Sequence, residues 1–450
     1  MKRDDENPLS PSGGEMPRAG NEQVPRPSAL VQYGWRVAMV LVCCIYVGIL
    51  ASNASGLYVI GVATYGHWFD DLFAILASND AVAFGIDPYS PNPLDYFHRS
   101  HVYTSWWLCL HDLGLTRADT RWLGLTLVTA FFAVAIAGLK PKSWKETVFY
   151  VAALCSSPVL LAANRANNDL VVFLILSAAP LCLVDSQRTV RLFAVFLIVF
   201  AAGLKFFPLA GALILLAAGD RGELRMRFVI FALLCGLAGI SLAGDFARGS
   251  YYLPDVRGLF SFGSVAIPNA LQISSRGWRL AGWALGIAAF LVFFKRSKPV
   301  PGEKADENED RLRFIMGASL LCACFWLNMN FSYRLIFSLW MLPYLWRVPG
   351  DKSEGAGLRR LAAWTRVLLV CALWLDTCIC LLVNLVVNRI PGANPRAWAD
   401  RLYVAEQPVT WAFFLCLLAF LAHFMRERLP ILMPAKPIES PESGSSQTRP

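Results

Sequence analysis

Charge is scarce in this chain. Of its 450 residues only 16% are Asp, Glu, Lys or Arg, against 56% hydrophobic, and the mean hydropathy is +0.47. A soluble domain carries about a quarter charged residues. A soluble fold is therefore excluded, and an all-α polytopic membrane protein is expected. Histidine is scarcer still, at five residues. No CxxC and no Cys/His spacing of a zinc site occurs. A continuous basic face is also missing. The formal charge is +9, but Lys and Arg come in short clusters between apolar runs, as orientation signals do, so nucleic acid is excluded as a partner. Cysteine is present but unpaired in pattern. Cys43, Cys44, Cys155, Cys182, Cys235, Cys322, Cys324, Cys371, Cys378, Cys380 and Cys416 lie inside apolar runs, where a thiol behaves as a small hydrophobe. Cys109 is the one loop-side thiol.

The apolar runs organise the chain. Residues 1–33 are rich in Pro, Gly, Ser, Glu and Arg and are expected to be a disordered tail; 428–450 is expected to be a second tail. Between them, 34–427 forms one integral membrane domain. A span takes roughly 20 apolar residues. Candidates fall at 35–58, 121–139, 146–163, 169–184, 225–243, 277–294, 313–330, 334–346, 362–387 and 408–425. A further run, 190–218, is interrupted by Gly203 to Pro208, "GLKFFP", and reads as two short helices. The expectation is about 10–12 transmembrane helices including this broken or re-entrant pair. The basic clusters at Lys140–Lys145, Arg188–Arg191, Arg221–Arg227, Lys295–Lys298, Arg347–Arg360 and Arg426–Arg428 then share one side. The positive-inside rule makes that side and both termini cytoplasmic. The acidic run "GEKADENEDR" becomes a cytoplasmic linker. The loop at about 63–120 lies outside, so any chemistry faces the extracytoplasmic side of a plasma (inner) membrane.

Several polar stretches could carry that chemistry. Asp70 and Asp71, in "GHWFDDLFAIL", begin a segment read as a helix lying on the membrane. Either carboxylate fits a general base that takes a proton from an attacking hydroxyl; both also fit solvated acids at a helix N-terminus. In "NRANNDL", Asn167, Asn168 and Asp169 read as an N-cap or as a polar ledge beneath a cavity. Lys205 is a charge inside an apolar run, which is costly and marks a site by default, or else snorkels from a helix end. Asn328, Asn330, Tyr333 and Arg334 cluster between two apolar runs; an Arg there suits phosphate through its planar fork, or anchors the interface with Tyr333. His98 and His101, in "HRSH", with His67 and His111 nearby, allow a divalent ion, but no metal or other cofactor is the favoured reading. Asp376 is a further intramembrane acid with no partner legible in the sequence.

In order, these pieces resemble glycosyltransferase family 87 of the C-type glycosyltransferase superfamily. The stretches that carry the resemblance are the early acid Asp70 or Asp71, "GIDPYSP" at Gly85–Pro91, "NNDLVVFLIL" at Asn167–Leu176, "AAGLKFFPLAGALILL" at Ala201–Leu216 and "YRLIFSLWMLP" at Tyr333–Pro343. The resemblance covers roughly 60–345. It departs from the family in the doubled Asp and in "RANND", where a Gly-Gln form is common. It implies a C-type glycosyltransferase-like fold and an inverting membrane enzyme. Such an enzyme moves a mannose-like hexose or an arabinose-like pentose from a polyprenyl-phosphate sugar to a glycan or glycolipid acceptor. The first-loop Asp would then be the base. Lys205 and Arg334 are the groups expected on the donor phosphate, because a leaving phosphate needs preorganised positive charge more than a general acid. Asp87, Tyr89, Asn167, Asn168, Asp169 and Tyr333 are expected around the substrate cavity. Two other classes compete: a transporter or flippase of a lipid-linked sugar, since broken helices and midplane charges are shared with transporters, and an assembly subunit without activity.

Overall fold

The computed structural model describes residues 29–62, 64, 66–216, 221–248, 258–297, 309–327 and 329–432. Most of both expected tails, the acidic linker before Glu309, and Asn328 lie outside the described residues. Among the described residues the regular structure is helical apart from a single antiparallel pairing of two residues with two, Ser261 with Phe331 and Phe262 with Asn330.

Among the described residues six helices are long and apolar enough to cross a membrane: Tyr33–Ser52, Arg117–Gly138, Arg221–Ser241, Ser275–Arg296, Ala356–Leu385 and Pro395–Arg428. The pair Trp144–Leu154 and Ser157–Arg165, bent by 48° at its break, makes a seventh if it is one span. This is a polytopic membrane protein, but with fewer long spans than the apolar runs suggest. The run 169–184 is a helix of 16 residues. The run 334–346 is a 3-10 helix, Ser332–Met341, followed by the six-residue helix Leu342–Arg347. Both are mostly buried in protein. An element shielded by other helices need not match the bilayer, and irregular backbone is tolerated there because its polar groups find protein partners. Hydrophobicity alone cannot tell such an element from a span.

The interruption in 190–218 falls at Lys205. The helix Arg188–Leu204 ends there, Lys205 is extended, and a 3-10 helix Phe207–Leu216 follows. Gly203 is required at this point. A Cβ on it would meet the Trp106 indole at 1.9 Å, so the ring rests directly on the helix backbone.

Helix direction sorts the charged residues into two ends. At one end Arg191 and Arg227 both pair with Glu223, Arg227 also reaches the Leu215 carbonyl, and Lys140 pairs with Glu309. At the other end lie the segment 66–116, the C-termini of helices Ser157–Arg165 and Arg188–Leu204, and the start of helix Asp169–Val184. By helix direction the described residues of the basic clusters fall at one end.

The segment after Phe69 corrects an expectation. It forms the helix Asp70–Ala83, but that helix does not lie on a surface with one face exposed. Every residue from Asp70 to Ala81 except Ala74 is buried. The 3-10 helix Ser105–Leu113 covers one side of it; Asn79 ties the two together by donating to the Trp107 carbonyl at 3.0 Å and accepting from the His111 N–H at 2.7 Å. Arg117 clamps Asp80 at 2.6 Å. Its apolar residues are thus a core, not a membrane-facing stripe.

Candidate active site

A cavity of about 970 Å³ opens at the non-basic end. Helix Asp70–Ala83 presents Asp71, Ala74 and Ser78 to it, the i, i+3, i+7 spacing of one helix face. The break supplies Leu204 to Phe207, the strap 99–104 another wall, and Asn330 to Arg334 the floor. Apolar residues at the break, Ala323 and Leu327 line it together with cationic and hydroxyl groups.

Asp71 is 5% exposed and lines the cavity. Its Oδ2 accepts from Arg165 Nε at 2.8 Å and Asn167 Nδ2 at 2.5 Å, and its Oδ1 accepts from Arg165 Nη2 at 2.6 Å. Arg99 stands 3.9 Å from Oδ1. A carboxylate has about four acceptor directions. Those of Oδ2 are filled, and Oδ1 keeps one. Burial pushes the Asp71 carboxyl up, but the Arg165 guanidinium, the Asn167 amide and Arg99 more than offset this and hold it below its ordinary value. Asp71 is thus an ionised, oriented acceptor.

Asp70 differs. It is 1% exposed, does not line the cavity, and its Oδ1 has no hydrogen-bond partner. Burial raises its carboxyl above the ordinary value, against the pull of Arg165. Of the adjacent acids, only Asp71 faces the space where a substrate can sit.

The next two residues after Asn167 hold a cation: Lys205 Nζ donates to Asn168 Oδ1 at 2.6 Å and to Asp169 Oδ1 at 2.5 Å. Arg334 Nε lies 3.5 Å from Asp169 Oδ2, and its Nη1 donates to Asn330 Oδ1. Lys205 and Arg334 both hold their charge over the Phe207 ring, at 5.9 and 4.7 Å. Tyr333 lies 5.9 Å from Lys205.

Several expected cavity residues stand elsewhere. Asn167, Asn168 and Asp169 are buried behind the wall and position others. Asn167 accepts the Asp169 N–H with Oδ1 at 2.9 Å while its Nδ2 holds Asp71; Asn168 and Asp169 hold Lys205. Asn168, at the N-cap of helix Asp169–Val184, makes no side-chain cap bond, and none of the three lines the cavity. Asp87 is exposed and shapes a turn, accepting from the Tyr89 N–H and the Ser90 hydroxyl at 3.1 and 3.0 Å. Tyr89 lines the cavity, and its hydroxyl donates to Asp245 at 3.0 Å.

Arg165, Arg99, Arg248, His101 and Tyr103 also line the cavity and were not singled out for it by sequence. His101 is buried with Nε2 on the Thr104 carbonyl at 3.1 Å, His98 is exposed, and His67 stacks on Tyr96 at 4.2 Å. Among the described residues no three His, Cys, Asp or Glu side chains form a group that could hold a metal. Asp376 has a backbone partner, accepting from the Phe260 N–H at 3.1 Å. It thereby steadies the strand Ser261–Phe262 against Asn330–Phe331, which leads into Tyr333 and Arg334.

Of five described non-glycine residues with left-handed backbone, three flank the site, and Phe260 and Gln272 do not. Phe69, His98 and Ala166 have φ of 54°, 51° and 40°. Each immediately precedes or follows a residue of the Asp71 cluster: Asp70, Arg99 and Arg165. Such conformations cost non-glycine residues about 1–2 kcal/mol and gather where structure is fixed for function.

No family model matches the chain, and neither a curated protein nor a solved structure matches it. The site's geometry therefore carries the functional argument.

Proposed function

We propose that the protein is an integral-membrane glycosyltransferase that moves a sugar from a polyprenyl-phosphate donor to the hydroxyl of a glycan or glycolipid acceptor. The observation that carries this reading is the pairing, in one cavity, of an ionised carboxylate with one free acceptor direction and a phosphate-ready pair of cations beside an apolar wall. The volume, about 970 Å³, suits a ligand of drug size or a little larger.

In this reading Lys205 and Arg334 hold the donor phosphate and take up its growing charge as the glycosidic C–O bond breaks. Desolvated, preaimed cations are the main source of such stabilisation. The acceptor hydroxyl attacks the anomeric carbon from the opposite face, its proton passing to Asp71 Oδ1, and the anomeric centre inverts. Arg165 and Asn167 keep Asp71 in place. The polyprenyl chain runs along Leu204, Phe206, Phe207, Leu209 and Leu327, of which Leu209 and Leu327 are exposed.

Charge supports a phosphodiester over a nucleotide sugar. Arg99 and Arg165 pair with Asp71, Arg99 also with Asp95, and Lys205 and Arg334 share Asp169. Much of the positive charge is therefore already compensated, which suits a donor with one negative charge better than a diphosphate. The flippase alternative draws on the broken helix, but every lining residue belongs to one end of the molecule, which favours transfer over passage. The resemblance to glycosyltransferase family 87 agrees with this reading, which takes the site to be extracytoplasmic.

The test is transfer from a synthetic short-chain polyprenyl-phosphate sugar by the purified protein in detergent. Failure to transfer or hydrolyse any such donor would sink the reading. Orientation is checked on a cysteine-depleted background. An impermeant thiol reagent added outside intact cells should label Asp87→Cys and leave Lys352→Cys untouched; both positions are exposed.

A further inference from the structure

Among the described residues five cations line the cavity wall, and four have carboxylate partners: Arg99, Arg165, Lys205 and Arg334. Arg248 is the exception. It is exposed, lines the cavity, and among the described residues pairs with no carboxylate. Its guanidinium lies 5.1 Å from the centre of the Tyr89 ring.

Arg248 and the phosphate-binding pair stand at the two ends of a wall of rings. Tyr89 meets His101 edge-on at 5.6 Å, and His101 meets Tyr103 edge-on at 5.9 Å. Lys205 Nζ lies 5.5 Å from the Tyr103 ring. All three rings line the cavity, and each is fixed. Tyr89 donates to Asp245, whose second oxygen accepts the Ser105 N–H at 2.8 Å. His101 Nε2 faces the Thr104 carbonyl at 3.1 Å and so carries the proton. Burial lowers the His101 imidazole to about 4 and pushes the Tyr89 phenol up to about 12, so the wall itself is neutral at pH 7. It separates the charge of Arg248 from that of Lys205.

We propose that the acceptor is an anionic glycoside that lies along Tyr103, His101 and Tyr89, with its negative group on Arg248 and its reacting hydroxyl toward Asp71. The inference rests on the glycosyltransferase reading and specifies its second substrate. Aromatic rings and hydroxyls suit a sugar's alternating apolar and polar faces. A guanidinium that pairs with no described carboxylate, at the far end, adds a charge-assisted contact that a neutral sugar cannot make. The separation also accounts for why Arg248 is not a third donor ligand.

Two acceptors that differ only in charge test this: an octyl hexopyranoside and the matching octyl hexopyranosiduronate, each with the short-chain donor. The wild-type protein should prefer the uronate by about tenfold or more in kcat/KM, the size expected of one hydrogen bond to a charged group. Arg248→Gln should erase most of that preference, with the loss in the uronate's KM rather than in kcat. Equal use of the two acceptors by the wild-type protein, or an equal loss for both in Arg248→Gln, overturns the proposal. Binding of each glycoside, measured by calorimetry without donor, reads the subsite even where no turnover occurs. Transfer failing while Arg248-dependent uronate binding persists would count against the transferase reading alone. Uronate binding that is displaced by phosphatidylglycerol and not by the neutral glycoside would assign Arg248 to bulk lipid and overturn the acceptor assignment.

Discussion

The two ends of this molecule put the same residue types to different uses. At the basic end Glu223 holds Arg191 at 2.7 Å and Arg227 at 2.6 Å, and Arg227 is fully buried. Glu309 holds Lys140 and Arg313, and Glu427 pairs with Arg311. A cavity of about 460 Å³ lies there too, but Lys140, Lys142 and Arg347 on its wall face Glu146, Glu309 and Asp310. These groups close on one another and clamp helix ends. At the opposite end Asp71 keeps one acceptor direction, and Lys205 and Arg334 share a single carboxylate beside a larger void. What separates a clamp from a site is therefore not burial or charge but a residual valence facing space.

Substitutions at the two ends should break this comparison in different ways. The largest effect belongs to Asp71→Asn. A general base contributes about 10²–10⁴-fold, and loss of transfer by that factor in a folded protein is expected, measured with the short-chain donor. Lys205→Ala and Arg334→Ala should each raise the donor KM or lower kcat by about 10–100-fold, from the loss of one charged contact; normal donor kinetics in both would move phosphate binding elsewhere. At the basic end, Arg227→Met should lower thermal stability by about 1–3 kcal/mol and leave kcat of the folded protein within about twofold.

The pH profile sharpens the contrast between the adjacent acids. The Asp71 carboxyl is held below its ordinary value. Its contribution to stability is therefore complete above the unfolded value, about 3.9, and is lost as pH falls through the lower folded value. Transfer should accordingly stay flat from about pH 8 down to about pH 5 and fall only in stronger acid. An acid limb near neutrality would assign the proton to another group. Asp70 has the opposite sign, raised by burial, so its ionised form weakens folding above its folded value. Asp70→Asn is the smallest effect: transfer within about threefold, and thermal stability at pH 7 unchanged or raised.

How far the sequence disclosed this depended on whether a residue was anomalous where it stood. Lys205 was legible because a charge inside an apolar run, just ahead of Pro208, is too costly to keep unless a polar site surrounds it. Tyr333 and Arg334 stood out as a polar cluster between two apolar runs, with an Arg fork suited to phosphate. Arg165 did not, because a cation closing an apolar helix is ordinary, and only the left-handed turn at Ala166 swings Asn167 onto the carboxylate that Arg165 clasps. Arg99 was hidden between two histidines that drew the metal reading. The burial of helix Asp70–Ala83 was invisible because an apolar face does not say whether lipid or protein covers it. The short helices were overcounted as spans on the same ground.

Asp169 has a consequence for the rate at which the site can be reused. On the proposed reaction the donor arrives with one negative charge, but the polyprenyl phosphate departs with nearly two at neutral pH. Two bare cations in a dry pocket would grip that product more firmly than the substrate, and each cycle would end in a stalled complex. A permanent anion behind Lys205 and Arg334 weakens their hold on the second charge more than on the first. Asp169 then acts as a built-in competitor of the product, and turnover, not donor affinity, is the quantity it governs.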